Sequence, residues 1–381
     1  MKLTKLMLSA CVAALALVSC NKGTHTPEGP QTGLKSIEIK INNSVLTKGD
    51  GGGAVPADNH VFLNNLRIYL TDDSYSTFYV AYAQDGSTPA TSYWEGTELT
   101  TLMAGGEINF HYVDPAVTKV IAVGNMGDTP YASVTALKDA ALDIDGQQDH
   151  EELSLYGEGP VTGPSGTHTD VNVLNNIYTA SVTLKPRISR FEVAGFRVKF
   201  NDTPKYNTIE VLQLAFDNYM PTATFYTGAE TGTLVDRIAD AQLEVANNAD
   251  VYTWLAGNTG AGWWYDTYAA GAISLTKTAP VKDVDQLAYH FFAGNVKPQF
   301  IIHLTADGVP AYVYTKKLKD ENDAEIIEFA EGTIYRMSAE GESVDNGVIE
   351  IPEDKIDQMD RCLDITVTVA PWVVTLVTPE F

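Results

Sequence analysis

Cysteine is scarce: the chain of 381 residues holds 3, at positions 11, 20 and 362. Cys11 and Cys20 fall in a leader described below, so no intrachain disulfide framework and no cysteine-rich zinc site is expected. Positive charge is short as well. There are 25 Lys and Arg against 49 Asp and Glu, a formal net charge of −24. Without surplus cations to displace counterions from phosphates, this balance argues against nucleic acid as a partner. It argues equally against electrostatic attraction to an anionic bilayer. Long apolar runs are missing too. The mostly apolar stretch over residues 6–18 is too short for a hydrocarbon core, which takes about 20 residues. Charged residues make up only 19% of the chain, whereas hydrophobic ones reach 44%, enough for a sizeable core. The length suits two domains of roughly 100–200 residues each. Abundant Thr, Val, Tyr and Gly favour strands and turns over helices.

Residues 1–19 read as a signal peptide. Lys2 and Lys5 supply a positive n-region, and residues 6–18 the apolar h-region. The run ends Leu17-Val18-Ser19-Cys20, which resembles a bacterial lipobox, with cleavage before Cys20 and lipid on Cys20. Anchoring then rests on lipid alone. Residues 20–33 have no apolar periodicity and much Gly, Pro and Thr, so they read as a lipidated flexible tether.

Ile37, Ile39 and Ile41 alternate with Glu38 and Lys40, a period of two that marks a strand with one buried face. The strand is followed by Thr47-Lys48-Gly49-Asp50-Gly51-Gly52-Gly53. A Lys beside a polyglycine loop is a natural nicking site, because a protease needs an extended, exposed substrate. An ordinary first strand with a mobile loop has the same pattern.

Strand signals then recur at short spacing, at residues 61–72, 78–82, 106–113, 118–123, 179–184 and 189–200, and in the second half at 208–216, 223–226, 300–305, 311–316 and 333–337. Turn signals between them point to antiparallel sandwiches. A helix capped by Ser133 is expected over residues 133–142, with Val134, Leu137 and Ala141 on one face. Short helices are expected at 240–246 and near 283–292. A domain boundary falls near 185–190. At the end, Ile365, Val367 and Val369 share a face. Pro371 cannot donate a ladder hydrogen bond. After it, Trp372, Val374 and Leu376 take the opposite parity, so the terminus reads as two strand segments hinged at Pro371.

Motifs that carry chemistry are sparse. The 7 histidines are scattered and none forms H-E-x-x-H. Gly163-Pro164-Ser165-Gly166 lacks the spacing of a nucleophile elbow. The loop starting at Asp143 has its Gly at the fourth position rather than the sixth, so a solvated acidic loop competes with a calcium loop. Trp263, Trp264 and Tyr265 read either as core packing or as an aromatic platform for sugar rings. No cofactor, metal or catalytic residue is expected, and the chain does not read as an enzyme.

Taken in order, these features resemble the fimbrillins, the type V pilins of Bacteroidia: a lipobox, a polar tether, a first strand followed by a basic residue, and a terminal Val-Thr-Val-Ala-Pro-Trp-Val-Val. Internal stretches are similar as well, among them Thr118-Lys119-Val120-Ile121-Ala122-Val123-Gly124-Asn125, Leu155-Tyr156-Gly157-Glu158-Gly159, and Leu184-Lys185-Pro186-Arg187-Ile188-Ser189-Arg190-Phe191-Glu192-Val193. The resemblance covers essentially the whole chain. It implies two antiparallel, transthyretin-like β-sandwich domains in tandem, over residues 49–187 and 188–381, with a few short helices.

The resemblance further implies a structural subunit of a surface fimbria that supports adhesion and biofilm formation. The precursor travels to the outer membrane as a lipoprotein, and the mature form is an extracellular fimbrium. Residues 34–48, with Ile37, Ile39 and Ile41, are a removable strand, released by a cut between Lys48 and Gly49. Known members are cleaved after Arg; Lys48 stands here, so a trypsin-like Arg/Lys protease is the expected partner. Pro371, Trp372, Val373, Val374, Leu376 and Val377 would form a donor strand for another copy in a head-to-tail filament. Further partners implied are accessory anchor and tip pilins and ligands on host or bacterial surfaces. The competing readings are a surface glycan-binding lipoprotein and an anchor or tip accessory pilin.

Overall fold

A computed structural model describes residues 35–42, 60–75, 92–104, 108–149, 152–167, 176–245, 249–257, 265–320, 322–338, 347–356, 361–371 and 373–375. In the first half the strands are β1 (Lys35–Asn42), β2 (His60–Phe62), β3 (Asn65–Thr71), β4 (Tyr93–Glu95) and β5 (Ile108–Val113). They continue with β6 (Lys119–Gly124), β7 (Ala141–Asp143), β8 (Leu155–Thr167), β9 (Asn176–Thr183) and β10 (Lys185–Pro186). The second half holds β11 (Ile188–Lys199), β12 (Thr208–Asp217), β13 (Thr222–Thr224), β14 (Glu230–Thr231), β15 (Tyr265–Thr267) and β16 (Ser274–Thr276). Then follow β17 (Val281–Phe292), β18 (Gln299–Ala306), β19 (Val309–Lys319), β20 (Thr333–Ser338), β21 (Val348–Pro352), β22 (Cys362–Pro371) and β23 (Val373–Thr375). The fold is mostly β, as the composition leads one to expect. The helices are short: α1 (Gly96–Met103), α2 (Val134–Asp139), α3 (Asp240–Leu243) and α4 (Ala249–Gly257).

The first sheet runs β4-β3-β6-β8-β9-β1-β5, with β10 paired to β8. It turns through β8, whose residues 155–160 pair with β6 and whose later residues pair with β9. A strand shared in this way lets one sheet supply two facing layers. Gly157 and Gly159 make the turn feasible. A Cβ on Gly157 would sit 2.4 Å from the carbonyl oxygen of Thr183, and one on Gly159 2.1 Å from that of Ser181. The end of β9 therefore lies directly over β8, and only glycine leaves room for it.

The second sheet runs β15-β12-β18-β19-β22-β20-β11-β17, with β16 on β12 and β21 on β11. The sheet changes between Pro186 and Ile188. Most described pairs are antiparallel. The parallel ones are β1 with β9, β11 with β20 and β21, β19 with β22 and β2 with β23. Helices α3 and α4 cover an outer face of this sheet, where Leu243, Val251 and Leu255 pack on Ala215, Ile301, Tyr312 and Tyr314.

The helix expected over residues 133–142 is shorter, Val134–Asp139, and Ala141, expected on its face, instead begins β7 and is exposed; the strand expected at 78–82 lies outside the described residues. Ser133 caps α2, its Oγ accepting the Ala136 N–H at 3.0 Å, and Val134 and Leu137 are buried beneath it. The segment near 283–292 is a correction: it is strand, not helix. It pairs antiparallel with β11, Tyr289 opposite Phe191 and Phe291 opposite Ser189. Its Tyr289 and Phe291 recur every second residue on the core side, which a strand satisfies and a helix does not. Phe291 stacks on Phe191 with centroids 4.6 Å apart.

The halves are tied together at several points. Strand β13 of the second half pairs with β7 of the first. Arg187 binds Glu331 at 2.6 Å. The His290 Nδ1 lies 2.6 Å from the carbonyl oxygen of Gln147, and Arg190 stands opposite His290 on β11. Arg190 and Glu192 are only 0% and 1% exposed and form an ion pair, and the Arg336 Nε–H donates to Glu192 Oε2 at 2.6 Å. Removing one partner of a buried charge cluster costs about 3–5 kcal/mol, because the rest stays desolvated. Glu192→Leu is therefore expected to lower unfolding free energy by about that much in a denaturant titration. A loss below about 1 kcal/mol would mean that the two guanidiniums are held by other groups.

Candidate functional site

Strand β1 is an eight-residue segment, Lys35–Asn42, and it lies inside the first sheet rather than at its rim. It runs parallel to β9 along its whole length, with Ile37 opposite Tyr178, Ile39 opposite Ala180 and Ile41 opposite Val182. On its other side it runs antiparallel to β5, with Ile37 opposite Phe110 and Ile39 opposite Ile108. The β5 register ends at Ile39, so Ile41 has its paired neighbour on β9. Ile37 is 0% and Ile39 1% exposed. Ile41 is half-buried against the core, while Lys40 is exposed. The alternation read from the sequence thus corresponds to one face sealed against the core.

The walls of this seat come from residues that the sequence marks as strand but does not connect with β1. Ile108 and Phe110 on β5, and Ala180 and Val182 on β9, are all buried. Each shows its own alternation. What brings them to β1 is pairing across long stretches of chain, which no local pattern encodes. Ile39 is buried between Ala180 on β9 and Ile108 on β5. Ile39→Ala is expected to destabilise the full chain by about 2–5 kcal/mol, through lost burial and the cavity left behind. Thermal melts of the two proteins check this; a change under about 1 kcal/mol would mean that β1 is not part of the cooperative fold.

The other end of the chain behaves differently on the two sides of Pro371. Strand β22 lies between β19 and β20, and Ile365 and Val367 are buried. It ends at Pro371, which faces Thr333, the first residue of β20. Beyond it, Val373–Thr375 leaves that sheet and runs parallel to His60–Phe62, Val373 opposite His60 and Thr375 opposite Phe62. Strand β2, the present partner of this segment, had no functional signal in the sequence. Cys20, Lys48, Gly49, Trp372, Leu376 and Val377 lie outside the described residues, as do Trp263 and Trp264. Tyr265 is described, and it packs in the core beneath α3 and α4.

Two buried carboxyls away from β1 are occupied by local structure. Burial pushes the Asp217 carboxyl up, and that carboxyl accepts the N–H groups of Arg237 and Ile238 at 2.9 and 3.0 Å. Burial also pushes Asp266 up while it accepts the Tyr289 O–H at 2.6 Å. Tyr289, fully enclosed, is held well above the usual phenol range by burial and by that same carboxylate. Among the described residues no group of three or more His, Cys, Asp and Glu is placed to hold a metal.

The chain is mostly β, with two extended sheets, the first of which encloses the first strand. No protein-family model matches the chain, and no curated protein matches it. It is similar in structure to a candidate cell-adhesion protein of Parabacteroides distasonis, with a TM-score of 0.50 at 10% identity, over 91% of this chain and 98% of that one. It is also similar to a fimbrilin of Porphyromonas gingivalis, with a TM-score of 0.49 at 10% identity, over 90% of this chain and 99% of that one. A candidate cell-adhesion protein of Bacteroides eggerthii gives a TM-score of 0.47 at 13% identity, over 91% of this chain and 98% of that one. The chain has the fold of the Parabacteroides protein along nearly its whole length.

Proposed function

We propose that this chain is a structural subunit of a surface fimbria, made as a lipoprotein on Cys20 and activated by a cut between Lys48 and Gly49. Its body is two β units, residues 49–187 and 188–381. One observation carries the reading: a strand buried on both flanks, β1, is followed in the chain by the stretch that contains Lys48 and Gly49 before the next described strand, β2, begins at His60. A single cut there turns β1 into a separable ligand. Its departure leaves β9 and β5 with unpaired backbone groups and an apolar floor, which is a template for strand addition.

The strand that fills the seat is the C-terminal segment of another copy, hinged at Pro371 and carrying Trp372, Val373, Val374, Leu376 and Val377. Burying the three side chains of one face, Trp372, Val374 and Leu376, at about 1.5–3 kcal/mol each gives a gross gain of roughly 5–9 kcal/mol, before main-chain hydrogen bonds are counted. What the described part of the segment gives up within one chain is its pairing with three positions of β2 and its contact with β10. Insertion of one copy into the next is heterologous and does not close, so a filament follows.

The role is non-enzymatic. It is supported by the fold shared with a candidate cell-adhesion protein and by the order of motifs in the sequence. The expected partners are copies of the chain, accessory anchor and tip pilins, a trypsin-like Arg/Lys protease and surface ligands met during adhesion and biofilm growth. The precursor resides on the outer membrane and the mature chain in the extracellular fimbrium. Terminal sequencing of protein sheared from the cell surface tests the reading. Gly49 is the expected first residue; filaments whose subunits begin at Cys20 overturn it.

A further inference from the structure

We infer that the incoming strand lies in the seat reversed relative to β1, antiparallel to β9 and parallel to β5. The inference rests on the strand-exchange reading above and adds the direction and register of the exchange.

The seat has three inward positions to fill, those of Ile37, Ile39 and Ile41. The donor is bracketed by Pro371 and Pro379, with residues 372–378 between them. A proline inside a strand paired on both sides loses a ladder hydrogen bond, so both prolines belong outside the seat. Residues 372–378 match positions 35–41 of β1 in length, and two directions meet this condition. Running as β1 runs, the donor places Val374 at Ile37, Leu376 at Ile39, Thr378 at Ile41 and Trp372 at Lys35. Reversed, it places Leu376 at Ile37, Val374 at Ile39, Trp372 at Ile41 and Thr378 at Lys35. Only the reversed strand puts an apolar side chain at all three isoleucine positions and a polar one at the lysine.

The shape of the seat agrees. Ile37 lies between Tyr178 and Phe110, and Ile39 between Ala180 and Ile108. Ile41 is half-buried beyond the end of the β5 register. A tryptophan overpacks a fully enclosed isoleucine site but fits the open one. Direction also favours the long neighbour. Pairing with β9 spans all of β1, so reversal converts the longer ladder from parallel to antiparallel, the more stable arrangement per residue. The parallel pairing is left to the shorter register with β5.

Disulfide trapping in filaments tests the direction, with Cys362→Ala as background. Ser181 is the β9 partner of Lys40 and Ile177 that of Ser36. Reversed insertion sets Val373 beside Ser181; insertion along β1 sets it beside Ile177. Val373→Cys with Ser181→Cys is expected to give a ladder of oxidised multimers on a non-reducing gel, at least tenfold more than Val373→Cys with Ile177→Cys. The opposite preference overturns the direction and leaves strand exchange standing.

A peptide of residues 371–381 with a nitroxide at position 373 covers variants that assemble poorly. Bound to the chain cut after Lys48, it is expected to lie close to a label at Ser181, and farther from one at Ile177 by up to about 13 Å, four residues of strand rise. Proximity to Ile177 instead overturns the direction. Filaments in which neither pair links, together with a peptide that does not bind, overturn strand exchange itself.

Discussion

Replacing Lys48 with Gln is expected to leave the full-length, lipidated chain on the cell and to reduce surface filaments at least tenfold. A trypsin-like protease needs a cation at the residue before the cut, and Gln keeps the polarity and much of the length of Lys without its charge. The fold has no reason to suffer, because the substitution lies well past the end of β1 at Asn42. What changes is the covalent link. With the link intact, β1 competes for its own seat at the high effective concentration of a tethered segment. It seals Ile37 and Ile39 against the core, and an incoming strand must displace it. Lys48→Arg serves as the control and should assemble as the parent does. Immunoblots of surface protein and electron microscopy of the same cells give both readouts. Normal filaments from Lys48→Gln would show that release of β1 is not the trigger.

The parts of this mechanism were unequally legible in the sequence. The buried face of β1 was plain, because Ile37, Ile39 and Ile41 alternate with Glu38 and Lys40, and a half-buried strand enforces that period. The cap of α2 was plain too, since Ser133 acts on its own helix three residues on. These are local effects. The neighbours of β1 were not legible, because β9 and β5 reach it by long-range pairing that leaves no trace in either segment. Parallel pairs such as β1 with β9 and β2 with β23 hid behind an expectation of antiparallel sheets. The segment ending at Phe292 misread as helix for a different reason. Its exposed first half, Val281 to Asp285, dilutes the alternation that Tyr289 and Phe291 make clear. The partner of β23 on His60–Phe62 is likewise a fact of tertiary structure: three residues are too few to announce a register.

Deleting residues 373–381 is expected to give a folded, lipidated and cleavable chain that stays monomeric. Strand β22 is what the second sheet needs from the C-terminus. It sits between β19 and β20, with Leu363, Ile365 and Val367 buried, and the deletion leaves it whole through Pro371. The described part of the removed segment pairs with three positions of β2 and lies beside the short β10, and it belongs to neither extended sheet. The expected loss of stability is therefore small, about 1–2 kcal/mol, or a few degrees in a thermal melt. Loss of assembly should be complete, because no copy can then offer a strand to the seat of the next. The competing account makes the segment a permanent part of one chain's core. On that account the deletion removes several buried side chains at about 2–5 kcal/mol each, and the protein unfolds or aggregates. Circular dichroism melts beside electron microscopy separate the two. A stable monomer that adds to no filament supports a donor strand; a destabilised, aggregating chain refutes it. Adding the deletion variant to assembling parent protein sharpens the test: it can accept a strand but cannot donate one, so it should terminate filaments in proportion to its share of the mixture.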